Sequence, residues 1–142
     1  MTIAVDFDGT IVEHRYPEIG KELPFATDTL KMLIADGHKL ILWSVREGEL
    51  LTAAVDWCRA KGVEFYAVNK DYPEETKEGN EVFSRKLKAD VFIDDRNIGG
   101  IPQWGEIYHM ISSGTPCERS HTGNRQSSTT NTKKEKKKWW QI

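Results

Sequence analysis

Cysteine is scarce in this chain of 142 residues: only Cys58 and Cys117 are present, far apart in sequence. That excludes a disulfide framework as the source of the fold, and reduced thiols in a cytoplasmic setting are the expectation. Long apolar runs are missing as well. No stretch approaches the ~20 apolar residues needed to span a bilayer, so no membrane segment is expected. The chain starts directly with a strand, without a basic flank leading into an apolar region, so no secretion signal is expected either. Charge of both signs is plentiful but unevenly placed. Thirteen basic and twenty acidic residues precede Thr115, a net −7, whereas seven basic and two acidic residues follow it, a net +5. The length suits one domain with a real core and not two.

What is present is an alternation of two periods. Ile3-Ala4-Val5 is a short apolar run ending in Asp6-Phe7-Asp8-Gly9-Thr10, which reads as a buried strand feeding a turn. Residues 11–24 have mixed polarity, two prolines and no period. They read as a loop or short flap over the strand end, in which His14 and Arg15 are candidates to meet an anionic substrate. Ala26, Leu30, Leu33 and Ile34 then fall at helical spacing, with Gly37 closing the helix. Lys39–Trp43 is a second apolar strand that stops at Ser44-Val45-Arg46. Leu51, Val55 and Cys58 mark a second helix closed by Gly62, and 63–68 a third strand ending at Asn69. Residues 70–80 are acidic and read as a surface excursion, and 81–87 as a helical turn or two. Ala89–Ile93 is a fourth strand ending in Asp94-Asp95. Trp104, Ile107, Tyr108 and Ile111 form a last helical stripe. Strand, helix, strand, helix, strand predicts an α/β fold with a parallel sheet and right-handed crossovers. From Thr115 on the periodicity is lost; residues 115–142 are a basic, low-complexity tail that cannot bury enough apolar surface to fold alone.

Residues two apart on extended backbone point the same way, so Asp6 and Asp8 can meet just past the first strand. In an open α/β sheet ligands bind beyond the carboxyl ends of the strands. Collected there are Asp6 and Asp8, Ser44, Asn69, and Asp94 with Asp95, while Lys86 precedes the last strand. Converging carboxylates repel unless a cation joins them. The donors are hard oxygens, without His or Cys, which points to Mg²⁺ and not zinc. A metal with open positions, a hydroxyl and an ammonium suit a phosphoryl group, with Ser44 and Lys86 on its oxygens and the N–H groups after Asp6 cradling another. One Asp can attack to give an acyl phosphate, and the other can shuttle the proton.

These residues resemble the haloacid dehalogenase (HAD) superfamily of phosphohydrolases. Asp6-Phe7-Asp8-Gly9-Thr10 matches its first motif, Ser44 its second, Lys86 its third, with Arg85 and Lys88 as rivals, and Asp94-Asp95 its fourth. The resemblance covers about residues 1–112. It implies a Rossmann-like three-layer sandwich over residues 1–114 with a mainly parallel sheet of four or five strands. Asp6 would be nucleophile and metal ligand, and Asp8 general acid/base and metal ligand through its backbone carbonyl. Asp95 would be a direct Mg²⁺ ligand, with Asp94 supporting it. Neither gap between motifs has room for a cap domain. An open site permits large substrates or requires a second subunit, as in a homo-oligomer, to cover it.

The expected activity is that of a phosphatase acting on a small phosphorylated metabolite. One rival keeps the chemistry but makes a polynucleotide end the substrate, with the basic tail and its two tryptophans supplying contacts; the acidic body weighs against it. Another is a phospho-receiver signalling module, whose phosphoacceptor Asp should end the third strand, where this chain has Asn69.

Overall fold

The computed structural model describes residues 1–76 and 86–114. The tail at 115–142, Arg85, Cys117 and most of the turn expected at 81–87 lie outside the described residues. Seven elements follow in order: β1 (Thr2–Val5), α1 (Ala26–Ala35), β2 (Lys39–Leu42), α2 (Gly48–Ala60), β3 (Ala67–Val68), β4 (Val91–Ile93) and α3 (Trp104–Ser112). The strands form one parallel sheet in the order β3-β2-β1-β4. This is the α/β fold with a parallel sheet that the alternation predicts and the Rossmann-like sandwich that the resemblance implies, with four strands among the described residues.

The period of two sorts side chains cleanly between the faces. Ile3, Val5, Leu40, Leu42 and Ile93 share one core with buried residues of all three helices, among them Leu30 and Leu33 of α1, Cys58 of α2 and Ile107 of α3. Ala4, Ile41 and Ala67 point to the other face, where they pack with Leu87 and the partly buried Trp43, Ala89 and Phe92. The strands are short, yet apolar on both sides, as expected of parallel strands covered on both faces.

Register positions the site. Val5 lies opposite Leu42 on one side and Ile93 on the other, so three strands end level and release Asp6, Trp43 and Asp94 at one edge. The chain runs outward from β1 through β2 to β3, then returns to β1's other flank as β4. β1 and β4 therefore enclose a topological switch point, where an open α/β sheet leaves a crevice.

Two elements are shorter than their sequence patterns predict. The apolar run 63–68 joins the sheet only at Ala67–Val68, because the Val63 N–H donates to the Cys58 carbonyl at 2.9 Å and so closes α2 instead of extending the ladder. β4 begins at Val91. Just ahead of it the Asp90 N–H bonds the Thr2 carbonyl at 2.8 Å, and the Asp90 carboxylate accepts from the Thr2 N–H at 2.7 Å. Among the described residues no helix is long and apolar enough to cross a membrane.

Residues 9–25 hold only a loop. It folds into a narrow arch, with the Glu13 N–H on the Lys21 carbonyl at 2.7 Å and the Leu23 N–H on the Ile11 carbonyl at 2.9 Å. Gly20 is required at its base, because a Cβ there would stand 2.0 Å from the Glu13 carbonyl oxygen.

Candidate functional site

Past the level strand ends, Asp6, Asp94 and Asp95 each present a carboxylate oxygen within 4.8 Å of the others. Burial above all, and then the charges of Asp94 and Asp95, push the Asp6 carboxyl up to about 7, against the opposing pull of the Phe7 N–H and the Thr10 hydroxyl. Like charges held this close favour the neutral acid. Three carboxylates without nitrogen or sulfur donors are a set that can hold a small hard cation.

Thr10 builds this cluster. Fully buried, its hydroxyl lies 3.1 Å from Asp6 Oδ2 and 3.4 Å from Asp95 Oδ1, and it accepts the Asp95 N–H at 3.0 Å. The indole N–H of Trp104 holds the Thr10 carbonyl at 3.0 Å, so α3 braces the loop from behind. Gly9 has φ +89°, and a Cβ there would come 2.4 Å from Asp95 Oδ2. A side chain at position 9 would push Asp95 out of the cluster.

Of the N–H groups after β1, four are engaged within the turn itself. Those of Thr10, Ile11 and Val12 all turn onto the Phe7 carbonyl at 3.0–3.3 Å, and that of Gly9 donates to the Val12 carbonyl at 2.8 Å. The turn after Asp8 is so tight that it consumes its own donors.

Asp8 has a different neighbourhood from Asp6. Its carboxylate is gripped by Arg46, with Nε 2.7 Å from Oδ2 and Nη2 2.7 Å from Oδ1. Arg46 is fully buried and Asp8 only 5 % exposed. The same guanidinium donates to the carbonyls of Pro17 (3.0 Å) and Glu18 (2.8 Å) in the loop. The rings of Phe7 and Tyr16 approach its Cζ at 5.2 and 5.3 Å. The hydrogen bonds it donates to Asp8 raise the Arg46 guanidinium above its ordinary range, outweighing the cost of burial. Sequence reasoning missed Arg46. The available signal was a cation two residues after Ser44 at a strand end that also faces an invading loop, but nothing local names its partner 38 positions away.

Ser44 sits at the same edge, 8 % exposed, and its Oγ accepts the Arg46 N–H at 3.2 Å. It does not cap α2, whose N-cap is Glu47. Asn69, at the end of β3 with φ 54°, brackets the Ser44 backbone: its Oδ1 accepts the Ser44 N–H at 2.8 Å and its Nδ2 donates to the Ser44 carbonyl at 3.0 Å. Asn69 thus positions the serine turn.

A cleft of about 420 Å³ opens here, lined by Asp6, Asp8, His14, Tyr16, Trp43, Ser44, Val45, Asp94 and Arg96. Five of the six expected site residues meet at or beside it; Asp95 joins through the acidic cluster. Lys86 is not among the lining residues. Its Nζ lies over the Phe92 ring, 5.7 Å from the centroid, on the other face of the sheet. Lys88 is exposed, and its N–H bonds Asp71 at 2.6 Å. The basic side chains that line the cleft are those of His14 and Arg96; Arg96 follows directly on the acidic pair, and its backbone N–H holds Asp94 Oδ1 at 2.8 Å. Cys58 is buried, its thiol pushed up to about 12 by burial and by Glu22, as befits a packing residue.

Among solved structures, the chain is similar to a conserved protein from Bacteroides thetaiotaomicron, at 71 % identity and a TM-score of 0.75, over 80 % of this chain and 91 % of that one. No protein-family model and no curated protein matches the chain.

Proposed function

We propose, for a chain that belongs to one family with the conserved Bacteroides thetaiotaomicron protein, that the cleft hydrolyses a small phosphomonoester through a phosphorylated aspartate. The observation that carries this reading is the division of labour at the edge. Asp6 stands in a three-carboxylate cluster, while Asp8 stands outside that cluster on its own guanidinium. A cation site beside a separately held carboxylate is what two-step phosphoryl transfer requires.

Asp6, Asp94 and Asp95 are the side chains that would hold Mg²⁺, with Thr10 and Gly9 setting their spacing. Bound there, the ion would offset the negative charge of the cluster and of the phosphoryl oxygens. The free Asp6 oxygen attacks phosphorus, and the bond to the leaving oxygen breaks. Asp8, whose oxygens both accept from Arg46, takes a proton from the water that attacks the aspartyl phosphate, and the leaving oxygen takes its proton from solvent. Ser44, fixed by Asn69, donates to a phosphoryl oxygen. Arg96 adds positive charge at the mouth of the cleft, beside the phosphate-binding role expected of Lys86.

The small-substrate reading rests on the size of the cleft and on the acidic body, which disfavours a polyanion. An open cleft also leaves room for a second copy of the chain to cover it. Asp6→Asn should abolish turnover of an aryl phosphate, and chelation should silence the wild type. Turnover that survives both would overturn the reading. A panel of phosphorylated metabolites beside 3′- and 5′-phosphorylated oligonucleotides identifies the substrate class.

A further inference from the structure

Arg46 spends its hydrogen bonds on two different parts of the molecule. Nε and one Nη2 bond orient the Asp8 carboxylate, whereas the Nη1 bond and a second Nη2 bond hold the carbonyls of Pro17 and Glu18. The Tyr16 ring, half exposed and lining the cleft, leans on the guanidinium from the same loop. The Asp8 carboxylate and the Tyr16 wall of the cleft therefore share one rigid, planar anchor. A guanidinium can do this because its donors lie in a fixed fork; an ammonium cannot serve the same acceptors in one plane.

We infer that Arg46 is a positioning residue that makes the 13–18 loop and the Asp8 carboxylate a single mechanical unit, so that contacts with the loop tune proton transfer at Asp8. The loop has few other ties. The described arch closes through the Glu13 N–H on Lys21 and the Leu23 N–H on Ile11, and the Arg15–Glu13 pair is exposed and loose at 3.9 Å. When Asp8 no longer accepts both forks of the guanidinium, the guanidinium is free to tilt and the loop loses its anchor. When the loop is disturbed, Asp8 loses its orientation, although the disturbed residue touches no reacting atom.

Two measurements test this in both directions. In the first, amide hydrogen exchange is followed in Asp8→Asn. Its side-chain amide turns an N–H toward a guanidinium N–H and so breaks one fork. Exchange at Glu13 and Leu23 should rise by about tenfold or more while amides in α1–α3 keep their rates. Unchanged loop exchange, or a uniform rise across all helices, would overturn the coupling. This measurement does not depend on any activity. The second rests on the phosphatase reading and uses Tyr16→Ala at a half-exposed loop position, with a thermal-unfolding scan to show that the variant is folded. Coupling predicts kcat lower by about 10- to 100-fold with KM changed much less. A raised KM with unchanged kcat would make Tyr16 a plain wall and refute the inference. If the wild type turns over no phosphomonoester, the phosphatase reading falls, and the exchange result still decides the coupling.

Discussion

Asp6 and Asp8 are two residues apart, leave the same strand and line the same cleft, yet their surroundings are opposite. Asp6 is pushed up to about 7 by burial first and then by two facing carboxylates; Asp8 faces a buried guanidinium that meets both of its oxygens at 2.7 Å. The difference follows from which neighbour each meets past the strand ends. Asp6 follows Val5, whose partner Ile93 is followed by Asp94, so it is thrown against the acidic pair. Asp8, further out, lies in reach of the turn after β2, which carries Arg46. One position is left short of positive charge, and the other is supplied with it by the chain itself. A site that must gather a cation and also keep a proton carrier needs both conditions.

The contrast is broken most severely by Arg46→Ala. The substitution strands a nearly buried carboxylate and removes the donors of two loop carbonyls, and loss of one partner of a buried pair costs about 3–5 kcal/mol. Urea unfolding should show that loss, with Arg46→Lys intermediate. Asp6→Asn goes the other way. Unfolded, Asp6 ionises near its ordinary value of 3.8, but folded only near 7, so between those values the native state holds the extra proton. Stability of the metal-free wild type should fall as pH rises from about 4 to about 7, and Asp6→Asn should lack that fall. At pH 8 the variant should be more stable by about 1–2 kcal/mol, a figure reduced for solvent screening at a partly exposed site. Added Mg²⁺ should raise the melting temperature of the wild type at pH 8 and raise that of the variant less. The smallest effect is expected at Asn69→Ala, which removes the two bonds that hold the Ser44 backbone. A loss of about 1 kcal/mol in thermal unfolding, with the Asp6 pH dependence intact, would sharpen the contrast by showing that the serine turn is separate from the acidic cluster.

A substitution that makes Asp6 less functional is thus expected to make the protein more stable, while the same class of change at Asp8 or Arg46 is expected to weaken it. Stability is stored on one side of the cleft and withheld on the other, as is common where a site awaits its ligand.

Much of this edge was legible in the residues themselves. The apolar runs 3–5, 39–43 and 89–93 announce buried strands, and the stripes 26–34, 51–58 and 104–111 announce helices, because periods of 2 and 3.6 are local properties of the backbone. Asp6, Asp8, Ser44, Asp94 and Asp95 were named from their places at strand ends, and parallel strands that end level bring such ends together. The third strand was overcalled because periodicity cannot see a carbonyl of the preceding helix competing for the Val63 N–H. Lys86 is named as the match to a motif, and the sequence does not say that its Nζ lies over the Phe92 ring.

By itself, then, the sequence determined the layers, the order of elements and the acidic character of the edge, all of which follow from short-range pattern and chain connectivity. Only the tertiary structure decided which carboxylate is left among its own kind and which is given a partner. That choice depends on pairings such as Asp8 with Arg46, 38 residues apart, and Thr10 with Asp95, 85 residues apart. It is made by strand register and by the path of a loop, and neither leaves a periodic trace in the chain.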